Sequence, residues 1–119
     1  MILVIQGSLP GTNEILAASN NNRHVYNEMK RTNTTLIALM ARNQKIPELP
    51  KSDYVITWIC PNMKRDKDNI MGGQKFIFDG LVQAKRIEND GWKQIGDVTH
   101  RFRVDKENPR IEVEITECA

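Results

Sequence analysis

In the segment Lys64–Asn69, two aspartates one residue apart, Asp66 and Asp68, are surrounded by three cations. A third aspartate, Asp90, follows the next helix-like segment and opens a turn. Mg²⁺ prefers carboxylate oxygens and keeps several waters, so two or three converging carboxylates and a phosphate make a sufficient site. The pattern therefore fits metal-assisted hydrolysis of a phosphodiester. It also fits an ordinary charged surface loop, in which Asp-x-Asp segments are common.

Lys75 is a further candidate, because Asp68, Lys75 and Asp79 fall on nearly the same side of a helix at 3.6 residues per turn. A lysine at this place can stabilise charge on a phosphate. It can equally pair with Asp79 four residues later, which is the commoner fate of such a pair. Both interpretations remain open from spacing alone.

Composition predicts a single globular domain, residues 1–119, with 39% hydrophobic and 27% charged residues. The net charge of +2 is too small to indicate nucleic acid by itself, but residues 51–86 hold seven Lys/Arg against four Asp. The basic excess thus accompanies the aspartates. Two cysteines without a C-x-x-C pair favour a reducing, cytoplasmic setting over a zinc site or disulfide framework. No segment predicts a signal peptide or a membrane span.

The apolar patterns predict the element order β, α, β, α, β, β. The run Ile2–Ile5 predicts a strand buried on both faces, and Tyr54–Cys60 predicts a central strand. A short helical piece capped by Thr12 or Asn13 is expected between the first strand and a long helix over about residues 23–42. The core face of that long helix is predicted from five apolar positions: Val25, Met29, Leu36, Leu39 and Met40.

A second main helix is predicted from a cap at Asp68 or Asn69 to about Arg86, with an apolar side. Two alternating segments, residues 98–104 and 111–115, predict a closing hairpin with one wet face. The strand–helix–strand crossover indicates that some strands are parallel. The expected fold is α/β (α+β), a small mixed sheet of about four strands with two main helices packed on it.

This order puts Asp66 and Asp68 at the carboxyl edge of the sheet, where α/β folds bind ligands. Asp90 joins them only if the intervening helix folds back. Among other notable side chains, His100 alternates with core positions and is interpreted as a packed or hydrogen-bonded histidine. Trp58 is predicted in the core, whereas Trp92, beside a turn, is either core edge or a stacking surface for a base.

Several segments together resemble the RusA family of Holliday junction resolvases. They are Arg65-Asp66-Lys67-Asp68-Asn69, Gln74-Lys75-Phe76-Ile77-Phe78-Asp79-Gly80-Leu81, Asn89-Asp90, the turn Leu9-Pro10-Gly11-Thr12-Asn13 and the closing segment Ile111–Glu117. The likeness covers nearly the whole chain. The Asp-x-Asp-Asn, Phe-Asp-x-Leu and Asp combination is specific, whereas the two ends alone are not.

The resemblance implies a homodimer that cleaves branched DNA, a four-way junction, with Mg²⁺ as cofactor and Mn²⁺ as a substitute. It implies a bacterial or phage-encoded protein. It also implies that Asp66, Asp68 and Asp90 hold the metal and are catalytic, and that Lys75 is the active-site lysine. Either the long helix or the first strand is expected to form the dimer contact. Phosphates would be positioned by basic side chains: Lys64, Arg65, Lys67 and Lys75.

The sequence departs from the family pattern at two places. Met71-Gly72-Gly73 inserts three residues between Asp68 and Lys75, which moves the lysine about 4.5 Å along a helix axis. In the acidic pair that precedes the next strand, this sequence has Asn89 where the family pattern has the first aspartate. Two alternatives therefore stay open beside the resolvase: a nuclease for other branched DNA, and a structure-selective DNA-binding protein with weak or no cleavage.

Overall fold

A computed structural model describes residues 1–119 as one four-stranded mixed sheet with helices on one face. The elements follow in the order β1 (Ile2–Gln6), α1 (Thr12–Asn21), α2 (Arg23–Asn43), β2 (Ser52–Cys60), α3 (Lys67–Met71), α4 (Gln74–Gln83), β3 (Ile95–Val104) and β4 (Arg110–Glu117). The predicted fold class, strand number and two main helices are confirmed. No helix combines the length and the apolar composition that a membrane crossing requires.

The strand order in the sheet is β1-β4-β2-β3. β2 is central, as predicted, and its register with β3 is parallel, from Ser52 opposite Ile95 to Cys60 opposite Val104. β4 is antiparallel to both β1 and β2. The predicted hairpin of the last two strands is therefore wrong, because β4 crosses to the far side of β2 and leaves β3 as an edge strand.

The core lies between the sheet and the helices. Tyr54, Ile56 and Trp58 of β2 are at most 2% exposed and face the helical layer. Along β4, Ile111, Val113 and Ile115 are buried, whereas the intervening residues are more exposed, as their alternation predicted. The first strand was predicted to be buried on both faces, which is wrong: Ile2 is 50% exposed, because β1 is an edge strand with helices on only one side.

The long helix occupies its predicted residues but turns a different face to the core. Its buried residues are Thr34, Ile37, Ala38 and Ala41. Of the five predicted core positions, Met29 and Met40 pack at the edge of the core, whereas Val25, Leu36 and Leu39 are 36% to 51% exposed. Small side chains face the core because they let α2 approach α4 closely. The size of the apolar side chains did not predict which face of α2 is buried.

The second predicted helix is interrupted. α3 begins after Asp66, not at Asp68 or Asn69, and α4 ends at Gln83 rather than near Arg86. The break falls at Gly72-Gly73, where the turn before α1 packs against the chain. A Cβ on Gly72 would overlap Thr12, so glycine permits a close approach that a continuous helix of larger residues would prevent.

Candidate active site at the carboxyl edge of the sheet

Asp66 and Asp68 both lie in the exposed segment that follows β2. Asp66 occupies the N-cap position of α3, and its backbone carbonyl accepts a hydrogen bond from Ile70 N at 3.0 Å. Asp68 Oδ1 accepts one from Asn69 N at 2.9 Å. Neither carboxylate takes part in an ion pair. Two hard oxygen donors are therefore free at this edge, as a divalent cation requires.

A buried amide holds this loop in place. Asn69 is 6% exposed, and its Oδ1 accepts a hydrogen bond from Asn13 N at 2.8 Å while its Nδ2 donates to Glu14 Oε2 at 3.1 Å. Arg65 Nη1 contacts Glu14 Oε1 at 2.9 Å and donates to Leu9 O at 3.1 Å. The start of α1 and the aspartate loop thus form one hydrogen-bonded unit.

Glu14 is the residue of this unit that the sequence analysis missed. It lies in the first turn of α1, at the third helical position. A glutamate at that position can accept a hydrogen bond from the N-cap amide, and this was the only indication of its role in the sequence. Arg65 was predicted to bind DNA, but the structure engages it in an intramolecular ion pair, and its side chain is only 31% exposed. Its position supports the aspartate loop.

The pKa of Glu14 is set by two opposing effects. Burial raises it, but hydrogen bonds from Gly11 N–H, the Asn69 amide and Arg65 outweigh burial and lower the pKa below its ordinary 4.5. Because the folded pKa is lower than the unfolded one, the carboxylate stabilises the fold above the unfolded pKa, and this contribution is lost as pH falls through the folded pKa.

We expect Glu14→Gln to be less stable than the wild type at about pH 7 and this deficit to shrink below about pH 4.5. Urea unfolding of both proteins at the two pH values measures it. A deficit of the same size at both pH values would contradict a contribution from the carboxylate charge.

A groove of about 410 Å³ opens beside Asp66, between the aspartate loop and the end of β3. Lys67 lines it and places Nζ 5.4 Å from the centroid of the Phe102 ring, a cation–π distance. Arg103 also lines the groove and is exposed. Arg103 was not predicted as a phosphate ligand, although it lies in the alternating segment 98–104, which was predicted to have one wet face. Lys64 is exposed on the same loop.

Lys75 lies in the first turn of α4, and no ion pair or hydrogen bond connects it to Asp66 or Asp68. Its Nζ is 3.5 Å from Asp79 Oδ2. That oxygen is buried and accepts no hydrogen bond, so the contact is an ion pair without hydrogen-bond geometry. The commoner of the two fates considered for Lys75, pairing with Asp79, is the one in this structure.

Asp90 lies at the opposite edge of the sheet. It precedes β3, and Gln94 O accepts a hydrogen bond from Ser52 N at 3.2 Å, which fixes this segment beside the start of β2. Asp66 follows the end of β2. A strand of nine residues separates the two edges by about 30 Å. The helix does fold back, but the return carries Asp90 away from the aspartate loop.

No group of three or more acidic, cysteine or histidine side chains within the chain is arranged to hold a metal ion. Asp105 shares the carboxyl edge, since its N–H donates to Cys60 O at 2.9 Å. Its carboxylate accepts from Asn108 N–H, Arg110 and Glu107 N–H, and these bonds lower its pKa. Asp105 is therefore committed to the β3–β4 turn.

His100 is confirmed as a hydrogen-bonded histidine. Trp58 Nε1 donates to His100 Nδ1 at 2.9 Å, and the two rings stack with an interplanar angle of 14°. Burial lowers the pKa of His100, in keeping with a neutral ring that accepts this bond. The two cysteines, Cys60 and Cys118, are free thiols, as expected.

The structure is thus an α+β domain with two free aspartates at its sheet edge, one of which, Asp66, lines a basic groove, and this combination is compatible with phosphodiester cleavage. Residues 12–116 match the family described as Endodeoxyribonuclease RusA. The chain belongs to the RusA endodeoxyribonuclease family. A search of curated proteins found no match to the chain.

Proposed function

We propose that this protein is a Mg²⁺-dependent endonuclease that cuts four-way DNA junctions in recombination and repair. The observation that carries the proposal is the pair of free carboxylates, Asp66 and Asp68, in the exposed loop beside a basic groove of a RusA-family chain; Asp66 lines that groove. Family membership supports endodeoxyribonuclease activity. The cation, the junction and the homodimer are inferred from the site and from the resemblance of its residues.

The two aspartates fit Mg²⁺ because both offer exposed carboxylate oxygens and neither is neutralised by an ion pair. When bound, the cation supplies positive charge next to the scissile phosphate and polarises it. Lys67 and Arg103 line the same groove and hold the flanking phosphates. Arg65, Glu14 and Asn69 keep the loop in place, which preserves the spacing of the two carboxylates. Lys75 can reach a phosphate only by leaving Asp79.

The distance between the two edges of the sheet supplies a reason why the metal site would need two subunits. If Asp90 also holds the cation, it must come from a second copy of the chain, because about 30 Å separates it from Asp66 and Asp68 in one copy. We place the twofold axis beside the middle of β3. Such an axis exchanges the two ends of β3, and it brings Asp90 of each subunit to the aspartate loop of the other.

β3 is suited to that contact because it is a ten-residue edge strand whose outer N–H and C=O groups have no neighbouring strand. Long uncovered edges of this kind invite pairing with another chain. We therefore propose β3 as the subunit contact, in place of the long helix or the first strand that the sequence suggested. Two equivalent sites would then face two equivalent strands of a junction, so we expect the two cuts to be symmetric.

The direct test is incubation of the protein with a labelled four-way junction, a flap and a linear duplex, each with and without Mg²⁺. We expect paired symmetric cuts in the junction only when the cation is present, and cuts with Mn²⁺ as well. Preferred cutting of the flap would instead favour the nuclease for other branches. Tight junction binding without cleavage under any condition would favour a DNA-binding protein.

A further inference from the structure

Trp92 is the most exposed large apolar side chain of the molecule, at 93%. Its turn is well ordered by hydrogen bonds: Asn89 Oδ1 accepts from Gly91 N at 2.8 Å, and Gly91 O accepts from Gln94 N at 3.1 Å. The indole is therefore held out in water by a fixed turn. Tryptophan is enriched at binding interfaces, where one side of its ring is covered by a partner.

A basic groove of about 530 Å³ begins at the next residue, Lys93. Lys51 and Lys85 also line it, and none of these three lysines forms an ion pair in the structure. Arg86 fixes one wall, donating from Nη1 to Ile46 O at 3.0 Å and from Nε to Ala84 O at 2.9 Å. Two glutamates complete the charged lining, so cations are in excess.

We propose that Trp92 stacks on an unpaired base at the branch of the DNA while the lysines of this groove hold the adjoining phosphates. An exposed aromatic ring beside free cations is the arrangement by which proteins bind unstacked nucleotides. The inference rests on the proposed function, because a four-way junction supplies distorted base pairs at its centre. It assigns Trp92 as a binding residue two positions after Asp90.

Trp92 fluorescence tests the stacking directly, because the chain has only one other tryptophan, Trp58, which is 2% exposed. We compare the wild type with Trp92→Phe, whose difference spectrum isolates the exposed indole. Added junction carrying 2-aminopurine at its branch should quench the Trp92 emission, and a linear duplex should not. Trp92→Ala should weaken junction binding about tenfold, and Trp92→Phe should retain most of the affinity.

Two lysines provide a matched pair for the phosphate contact. Lys45 and Lys85 follow the ends of α2 and α4 in the left-handed conformation, with φ of 59° and 60°. Glycine at either position relieves the same backbone strain, so both variants should be slightly more stable than the wild type. Only Lys85 lines the groove. We therefore expect Lys85→Gly, and not Lys45→Gly, to weaken junction binding and to flatten its salt dependence.

The inference is overturned if the wild type cuts junctions while Trp92→Ala binds them as tightly, a result that leaves the proposed function standing. It is also overturned if Trp92 emission is blue-shifted without DNA and Trp92→Ala dissociates the dimer, because the indole would then be a subunit contact. A wild type that binds no junction would overturn the inference and the proposed function together.

Discussion

Asp68→Asn is expected to reduce DNA cleavage by about a thousandfold or more while junction binding persists. The amide is nearly isosteric with the carboxylate and can still accept the hydrogen bond from Asn69 N, so the loop should keep its conformation. The substitution removes one negative charge from the cation's ligand set. Loss of cleavage without loss of binding would separate metal binding from phosphate binding.

The measurement is single-turnover cleavage of a labelled junction, with a gel-shift assay of the same protein for binding. Glu28→Gln is the matched control, because it also changes an exposed carboxylate to an amide but lies on α2, outside the aspartate loop and outside β3. We expect it to cleave as the wild type does. Unchanged cleavage by Asp68→Asn would show that this carboxylate is not catalytic.

Gly80→Ala is expected to lower the free energy of unfolding by about 2–3 kcal/mol. At an exposed helical position the same change would stabilise the fold by about 1 kcal/mol, since alanine is the better helix former. Gly80 is buried where α4 crosses α2, and a Cβ there would overlap Ile37 and approach Thr34 O to 3.1 Å. The steric overlap outweighs the gain in propensity.

Urea unfolding of Gly80→Ala, Ile37→Ala and the double variant checks this account. Ile37→Ala removes Cγ2, one of the two atoms that the new methyl group would overlap. The double variant should therefore lose less stability than the sum of the two single variants. Additive losses, or a stabilised Gly80→Ala, would contradict close packing of the two helices at this residue.

Periodic patterns predicted much of the fold. Alternation in Arg110–Glu117 and the apolar run at the end of β2 gave the correct strands, because side-chain period and burial are local properties. Strand order is not local. No residue near the chain terminus indicates that β4 inserts between β1 and β2, and the nearness of β3 and β4 in sequence suggested a hairpin instead.

Only part of the candidate site was predicted from the sequence, because strand pairing, like strand order, is not a local property. Asp66 and Asp68 come directly after a central strand, so the sequence alone locates them at the sheet edge. A parallel crossover, however, returns the chain to the opposite edge before the next strand begins. Because β2 and β3 pair in parallel, Asp90 cannot converge with Asp66 within one chain. Only the register of the strands shows this.

A mixture of two inactive variants tests whether each site is built from two subunits. Asp68→Asn and Asp90→Asn are each expected to be inactive alone. After subunit exchange, half of the dimers are mixed, and in each the unaltered Asp68 of one subunit meets the unaltered Asp90 of the other. About one quarter of the wild-type sites should then reappear, as single-strand nicks rather than paired cuts.

The double variant Asp68→Asn/Asp90→Asn, mixed with either single variant, is the control and should restore nothing, because no combination of its subunits contains a complete site. Recovered nicking in the first mixture alone would support a site built from two subunits. Absence of nicking after subunit exchange has been verified, with both single variants inactive, would contradict it.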